Sequence, residues 1–227
     1  MERIQSTEKT ERMERTERAV RKEREFNRRR AEILEQAEKI FAAKGFERAT
    51  VAEIALAAGY AVGTIYQYFD GKDDLFTAMV TEKMEAMYSK IRRKVEQEKD
   101  RLGKIRALVR SQFRFAEKNR AFCAIFIRRE STAFSEGDSE LKERIISDYM
   151  DHIDYIEAIV RGGVAGGTLR QLPTRSLAFA LAGMINSFIF SWMCMPGEEP
   201  LSARTDILVD IYLHGVGQAC DAGSAPS

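Results

Sequence analysis

The sequence predicts an all-α chain: a three-helix unit with a helix-turn-helix plan at the N-terminal end, and a larger helical bundle after it. Three observations predict this. Only four of the 227 residues are proline and the first is Pro173, so nothing before it removes a backbone donor or clashes with a preceding turn. Apolar residues recur at helical spacing through most of the chain. No stretch alternates apolar and polar residues as a half-buried strand does, and no Asn-Gly pair marks a hairpin.

The elements follow in order. Residues 1–26 form a charged extension in which Glu8, Glu11, Glu14 and Glu17 each stand four residues before Arg12, Arg15, Arg18 and Arg21. That orientation favours i,i+4 pairs worth about 0.2–0.5 kcal/mol each. With almost no apolar face, the extension reads as a solvated, fraying helix or a tail. A first helix is expected from about Asn27 to Lys44, with Ile33, Leu34, Ala37, Ile40 and Phe41 as its apolar stripe. Gly45 suits a left-handed stop, and Phe46 can fold back on the last turn. A second helix opens at Thr50, whose hydroxyl forms a capping box with Glu53, and ends at Gly59. A third is expected over Val62–Phe69. Ile65, Tyr68 and Phe69 share its inner side, while Gly63, Thr64, Tyr66 and Gln67 face outward. Asp70 and Gly71 break it, and a fourth helix starts near Lys72, with Asp73 and Asp74 in the first turn, where the helix dipole favours negative charge.

Two short helices joined by a tight glycine turn and braced by a preceding helix form a helix-turn-helix, whose second helix offers its first residues to base edges in the major groove. Gln67 can pair with adenine through two hydrogen bonds. Gly63 lets a backbone approach closely, at a cost of about 1 kcal/mol relative to Ala.

Residues Ala31–Phe76 resemble the TetR family of bacterial transcriptional regulators. The likeness rests on "FAAKGF", Thr50, "IA" at 54–55, "AAGY" at 57–60, "GTIYQYF" at 63–69, and Lys72 before two acids and Leu75. It implies a DNA-binding domain over 27–76, with Thr50, Tyr66 and Lys72 on phosphates and Gly63, Thr64 and Gln67 in the groove. It also implies a homodimer, most simply a repressor, reading a roughly palindromic operator on double-stranded DNA and responding to a small effector. Two departures stand out. Ala61 occupies a position where the family usually has a capping serine, and Val62 one where a polar or basic residue is common. The third helix therefore carries no positive charge, and Phe26–Lys72 holds seven basic against six acidic residues. Phosphate affinity requires cations, so Arg28, Arg29 and Arg30, with Lys72, are expected to supply much of it.

The remainder, 77–220, reads as an apolar bundle with helices near 101–117, 119–131, 138–162, 174–194 and 202–219, followed by a tail over 221–227 expected to be disordered. The resemblance assigns this half effector binding and dimerisation. Its soft apolar residues, Met84, Met87, Tyr88, Phe113, Phe122, Phe126, Tyr149, Met184, Phe188 and Trp192, suit a pocket for a lipophilic effector, although such residues at helical spacing are more often plain core. A charged effector would need a buried partner, with Arg114 or Asp151 as candidates. Leu177–Met195 has nineteen residues without a charge, near bilayer length. Its small residues Gly183, Ser187 and Ser191 suit instead a helix held between its own core and a dimer partner, so no membrane span is expected. Helices near 174–194 and 202–219 are expected to form the dimer. Cys123, Cys194 and Cys220 lack metal-ligand spacing, no nucleophile–base pair stands out, and the glycines of 162–167 fit no phosphate-binding motif. No catalysis, cofactor or metal is expected. The charged N-terminus is not a signal peptide, so the cytoplasm is the expected location. The alternative is an all-helical ligand carrier or enzyme whose N-terminal helices are structural.

Overall fold

A computed structural model describes residues 2–125, 139–195, 197 and 199–215. The helices are α1 (Glu2–Lys44), α2 (Val51–Ala58), α3 (Val62–Ile65), α4 (Lys72–Glu96), α5 (Arg101–Lys118), α6 (described over 120–125), α7 (Ser139–Ala165), α8 (Thr174–Cys194) and α9 (Thr205–His214). A 3₁₀ turn, Leu201–Arg204, precedes α9. No strand occurs among the described residues, and the all-α expectation holds. The chain divides into two compact units, Met1–Val80 and Thr81–Ser227.

The first unit is built on the apolar stripe of α1. Ile33, Leu34, Ala37 and Phe41 are buried, against Ile54 and Ala55 of α2, Ile65 and Phe69, and Leu75 and Phe76 of α4. Gly45 stops α1 at φ 77°. Phe46 then folds back, its ring 5.6 Å from Phe41 and 5.1 Å from Phe76. Such aromatic clusters contribute beyond their buried area and fix the turn between α1 and α2.

Two expectations about this unit change. The helix expected from Asn27 is instead the end of a helix that is continuous from Glu2. No Gly or Pro interrupts residues 2–44, and Glu25 binds Arg28 and Arg29, so the chain contains no signal to start a new helix at 27. The third helix, expected to reach Phe69, is α-helical only over Val62–Ile65. Beyond Ile65 the amides of Gln67 and Tyr68 bond three residues back, to Thr64 and Ile65. The last turn is therefore tightened, as helix ends commonly are.

In the second unit α5 and α7 pack with α8 and α9 around Ile105, Leu108, Val109, Phe113, Ile153, Ile156, Val160, Leu181, Ile185 and Leu208. Asp100 caps α5 by accepting from the Gly103 amide. The helix α7 runs through Gly162 and Gly163 to Ala165, so the joint lies later than the glycine pattern suggests. At Gly163 a Cβ would lie 2.8 Å from Leu169, so the glycine lets the following loop fold onto the helix. The helix expected over 202–219 opens as the 3₁₀ turn, where Thr205 Oγ1 donates to the Ser202 carbonyl. The part after Gly215 lies outside the described residues, as does the tail.

One face of α8 is open within its own chain. Phe179 and Ala180, then Gly183, Ser187, Phe190 and Cys194 at steps of three or four residues, are exposed. Only 28% of the helix's most apolar stretch is buried. An added Cβ at Gly183 would meet nothing within 4 Å.

Candidate nucleic-acid interface

The helix-turn-helix is assembled by local rules. Thr50 Oγ1 accepts from the Glu53 amide, and the Glu53 carboxylate accepts from the Thr50 amide. Lys44 also pairs with Glu53. Hydrogen bonds from Lys44, then from Thr50, hold the Glu53 carboxyl below its usual pKa. These contacts tie the end of α1 to the start of α2. At the other end, Gly59 adopts φ 74°, ψ 26°. Its amide bonds to the Leu56 carbonyl, and the Tyr60 amide to Ala55, the paired bonds of a Schellman stop. The side chain of Tyr60 then donates to Glu32 of α1 at 2.6 Å, which locks the turn against the first helix.

The helix α3 starts from Ala61, whose backbone is extended at φ −69°, ψ 149°, with no side-chain cap. Ile65 and Phe69 are buried, 1% and 2% exposed. The Tyr68 ring lies 4.5 Å from Phe26, and the Arg30 guanidinium lies 5.1 Å from the centre of the Phe69 ring. The inner side is therefore clamped to α1 by Phe26 and Arg30. The outer side is open: Ala61, Val62, Gly63, Tyr66 and Gln67 are exposed, and Thr64 is half-buried. A Cβ at Gly63 would meet nothing within 4 Å, and its backbone φ is not positive.

The expected phosphate-binding cations take up positions that their residue types alone did not disclose. Lys72 Nζ donates to the carbonyls of Phe46 and Glu47, at 3.0 and 3.2 Å, and lies 4.4 Å from the centre of the Phe46 ring. It joins the start of α4 to the turn that carries Thr50. Arg28 binds Glu25 and Glu32, and Arg29 binds Glu25. These bonds, with Arg28 first, hold Glu25 below its usual pKa, and they hold both arginines above theirs.

Sequence reading missed two positioning residues and one exposed apolar side chain. Phe26, placed just outside the expected helix, stacks on Tyr68. Glu32 anchors Tyr60. Leu56 of α2 is 82% exposed and lies on the open side of its helix with Ala52. The signal for Phe26 was the helical register of α1, which carries 26, 30 and 33 on one side; Glu32 lies on another side of that helix.

In the second unit the expected pocket residues come together only in part. Phe113 and Trp192 lie in the main core, with Met87, Tyr88, Tyr149, Met184 and Phe188 half-buried against it. The rings of Phe113 and Phe188 stack 6.0 Å apart. Met84 and Phe122 are buried but outside that cluster, and Phe126 lies outside the described residues. Arg114 and Asp151 are exposed, so neither is the buried partner a charged effector would need. The buried polar side chains described in this unit are instead Thr81, Gln112 of α5, His152 of α7 and Thr205, none of which the sequence singled out as a site. Among the described residues no cluster of three or more His, Cys, Asp or Glu could hold a metal.

Residues 33–79 match the profile of bacterial regulatory proteins of the tetR family, and residues 98–216 match the tetracyclin repressor-like C-terminal domain. The chain belongs to the TetR family. It is accordingly a ligand-responsive, DNA-binding transcriptional regulator with an N-terminal helix-turn-helix domain and a C-terminal helical ligand-binding domain. The fatty acid metabolism regulator protein of Bacillus subtilis strain 168 is 22% identical over 188 residues, covering 82% of this chain and 94% of that protein. Among solved structures, the fatty acid degradation regulator FadR of Bacillus halodurans superposes with a TM-score of 0.74 at 26% identity, covering 83% of this chain and 96% of that one. FadR of Bacillus subtilis in complex with stearoyl-CoA gives 0.73 at 20% identity, covering 82% and 99%.

Proposed function

We propose that this TetR-family chain is a repressor. It binds a roughly palindromic operator as a homodimer in the cytoplasm, and a lipophilic effector releases it. Gly63, Thr64 and Gln67 read base edges, while Thr50, Tyr66, Lys72 and the Arg28–Arg30 cluster hold phosphates. The observation that carries the DNA-reading assignment is Gly63. A glycine inside a helix costs about 1 kcal/mol relative to Ala, and neither its backbone angles nor its neighbours in the chain require it. Close approach of a groove does.

The open face of α8 supports the dimer by the same argument. Phe179 and Phe190 are 41% and 53% exposed beside Gly183, so a second copy of α8 can approach closely there. Ile207 of α9, 57% exposed, extends the apolar surface. Tyr88, Phe113, Tyr149, Met184 and Phe188 favour an apolar effector. The stearoyl-CoA held by the Bacillus subtilis FadR makes molecules with a long alkyl chain the first class to try. The helices of the first unit read DNA rather than serving only as structure, and the chain carries out no reaction of its own.

The test is a gel shift on the DNA upstream of the gene with the Thr64→Ala, Tyr66→Ala double variant. The expected result is loss of sequence-specific binding at unchanged helicity. Undiminished specific binding would remove α3 from the interface.

A further inference from the structure

Among the described residues, two buried polar atoms of the second unit find no hydrogen-bonding partner, Asp148 Oδ2 and His152 Nδ1. They stand four residues apart on α7, so their side chains share one face with Cβ atoms about 6 Å apart. His152 is 4% exposed, and its ring lies 4.3 Å from that of Tyr88 on α4, nearly parallel to it. Its other nitrogen, Nε2, is 2.9 Å from Nε2 of the buried Gln112 amide. An amide nitrogen only donates. His152 Nε2 must therefore accept, and the ring proton sits on Nδ1. Burial holds the pKa of His152 down at about 4, so the neutral ring with one N–H is the form present at pH 7. The result is an unused donor, Nδ1–H, one turn from an unused acceptor, Oδ2.

A buried polar atom left unpaired destabilises a fold, and two of them on one helical face are not explained by packing. His152 lies among apolar side chains, with Tyr88 and Tyr149 packed against the core that contains Phe113 and Ile153, while Asp148 is half-buried and its other oxygen, Oδ1, lies 3.8 Å from Arg144. From this arrangement we propose that Asp148 and His152, with Tyr88 and Gln112 holding the ring, form the polar end of the effector site and recognise an un-ionised hydroxyl on an otherwise apolar ligand. A hydroxyl oxygen accepts from His152 Nδ1–H while its proton is donated to Asp148 Oδ2. An ether or a thioester carbonyl accepts but cannot donate, and leaves Oδ2 unpaired. A carboxylate cannot donate either, and it brings negative charge to the Asp148 carboxylate. This inference rests on the reading of the second unit as an effector domain.

The experiment uses the full-length chain and three probes of one chain length: 1-decanol, 1-methoxydecane and decanoate. Calorimetry measures binding, and a gel shift measures release from the operator. The expected result is a 10–100-fold preference of the wild type for decanol over the ether, the range set by leaving one buried group unpaired. In Asp148→Leu and in His152→Leu the preference falls to about onefold. Asp148→Leu, freed of an orphaned polar atom, melts no lower than the wild type, whereas His152→Leu also strands the buried Gln112 amide and is judged by its ligand preference alone. Equal binding of decanol and the ether by the wild type overturns the proposal and leaves a purely lipophilic effector standing. A variant that keeps the decanol preference overturns it too, as do variants that melt lower and show no change in preference, the result expected of a water-bridged structural pair. If none of the three probes binds or releases DNA, both this proposal and the lipophilic effector reading fail.

Discussion

Replacing His152 with Gln should remove a defined acid-sensitive component of stability. Burial, and secondarily the positive charge of Arg92, lowers the pKa of His152 from 6.5 to about 4. Between these values the unfolded chain holds a proton that the folded chain excludes, so stability falls as pH falls. The contribution is intact above about pH 6.5, erodes from there downward, and is fully spent below about 4. From pH 7.5 to 4.5 the two pKa values give a loss of about 2.5 kcal/mol. Asp148, whose pKa burial raises, acts in the opposite direction: its native form takes up a proton more readily in acid. It is present in both proteins and cancels in the comparison. The assay is urea unfolding of wild type and His152→Gln at several pH values and one protein concentration, because the stability of any dimer depends on concentration. The wild type should lose about 2.5 kcal/mol more than the variant over that interval. Parallel stability curves would show that His152 titrates normally, and the burial argument would be wrong.

Four other substitutions follow from the structure. Ala61→Ser restores the missing cap to a backbone already extended at φ −69°, ψ 149°, and should raise the unfolding midpoint by an amount equivalent to about 1 kcal/mol; no increase in chemical denaturation would refute it. Gly59→Ala places a Cβ at φ 74° with no steric neighbour, so thermal melting should show only the left-handed backbone cost of about 1–2 kcal/mol. Changing Arg28, Arg29 and Arg30 together to Ala should flatten the dependence of operator affinity on salt by up to about three phosphate contacts, read as the slope of log affinity against log salt. Phe190→Glu on the open face of α8 should convert a dimer to a monomer in sedimentation and abolish tight operator binding.

The parts of the fold that short-range rules control were legible in the sequence. The capping box at Thr50 and Glu53, the stop at Gly59, the foldback of Phe46 and the span of α8 all follow from a few adjacent residues whose backbone chemistry has one good solution. What could not be read depends on partners far apart in the chain. Tyr60 meets Glu32 across twenty-eight positions, and Lys72 meets the Phe46 carbonyl across twenty-six. The pairing of Gln112 with His152 joins two helices forty residues apart, and His152 in isolation carried no sign of it. The end of α3 was misjudged because apolar spacing continues to Phe69, while the hydrogen bonds tighten after Ile65. Periodicity registers which face is buried and is blind to which carbonyl each amide chooses.

The charge arrangement of the first unit has a consequence for how such a chain could hold and leave DNA. The exposed stripe Ala61–Gly63, Tyr66 and Gln67 contains no ionised group, so in the proposed complex its contribution would come from shape and hydrogen bonds, which depend on sequence and little on salt. Arg28 and Arg29 already bind glutamates of their own helix, at exposed sites. Exposed pairs of this kind are worth about 0–1 kcal/mol, so exchanging a carboxylate for a phosphate oxygen costs little, and the glutamates return as partners on release. Lys72 differs, because its ammonium is held by two carbonyls and an aromatic face. It can offer a remaining donor to a phosphate without leaving them. One cation is thus fixed by the fold beside the capping box of Thr50, and two are exchangeable on α1. With these cations on phosphates as proposed, that division would let the fixed one set the register on the duplex while the exchangeable ones adjust affinity to ionic strength.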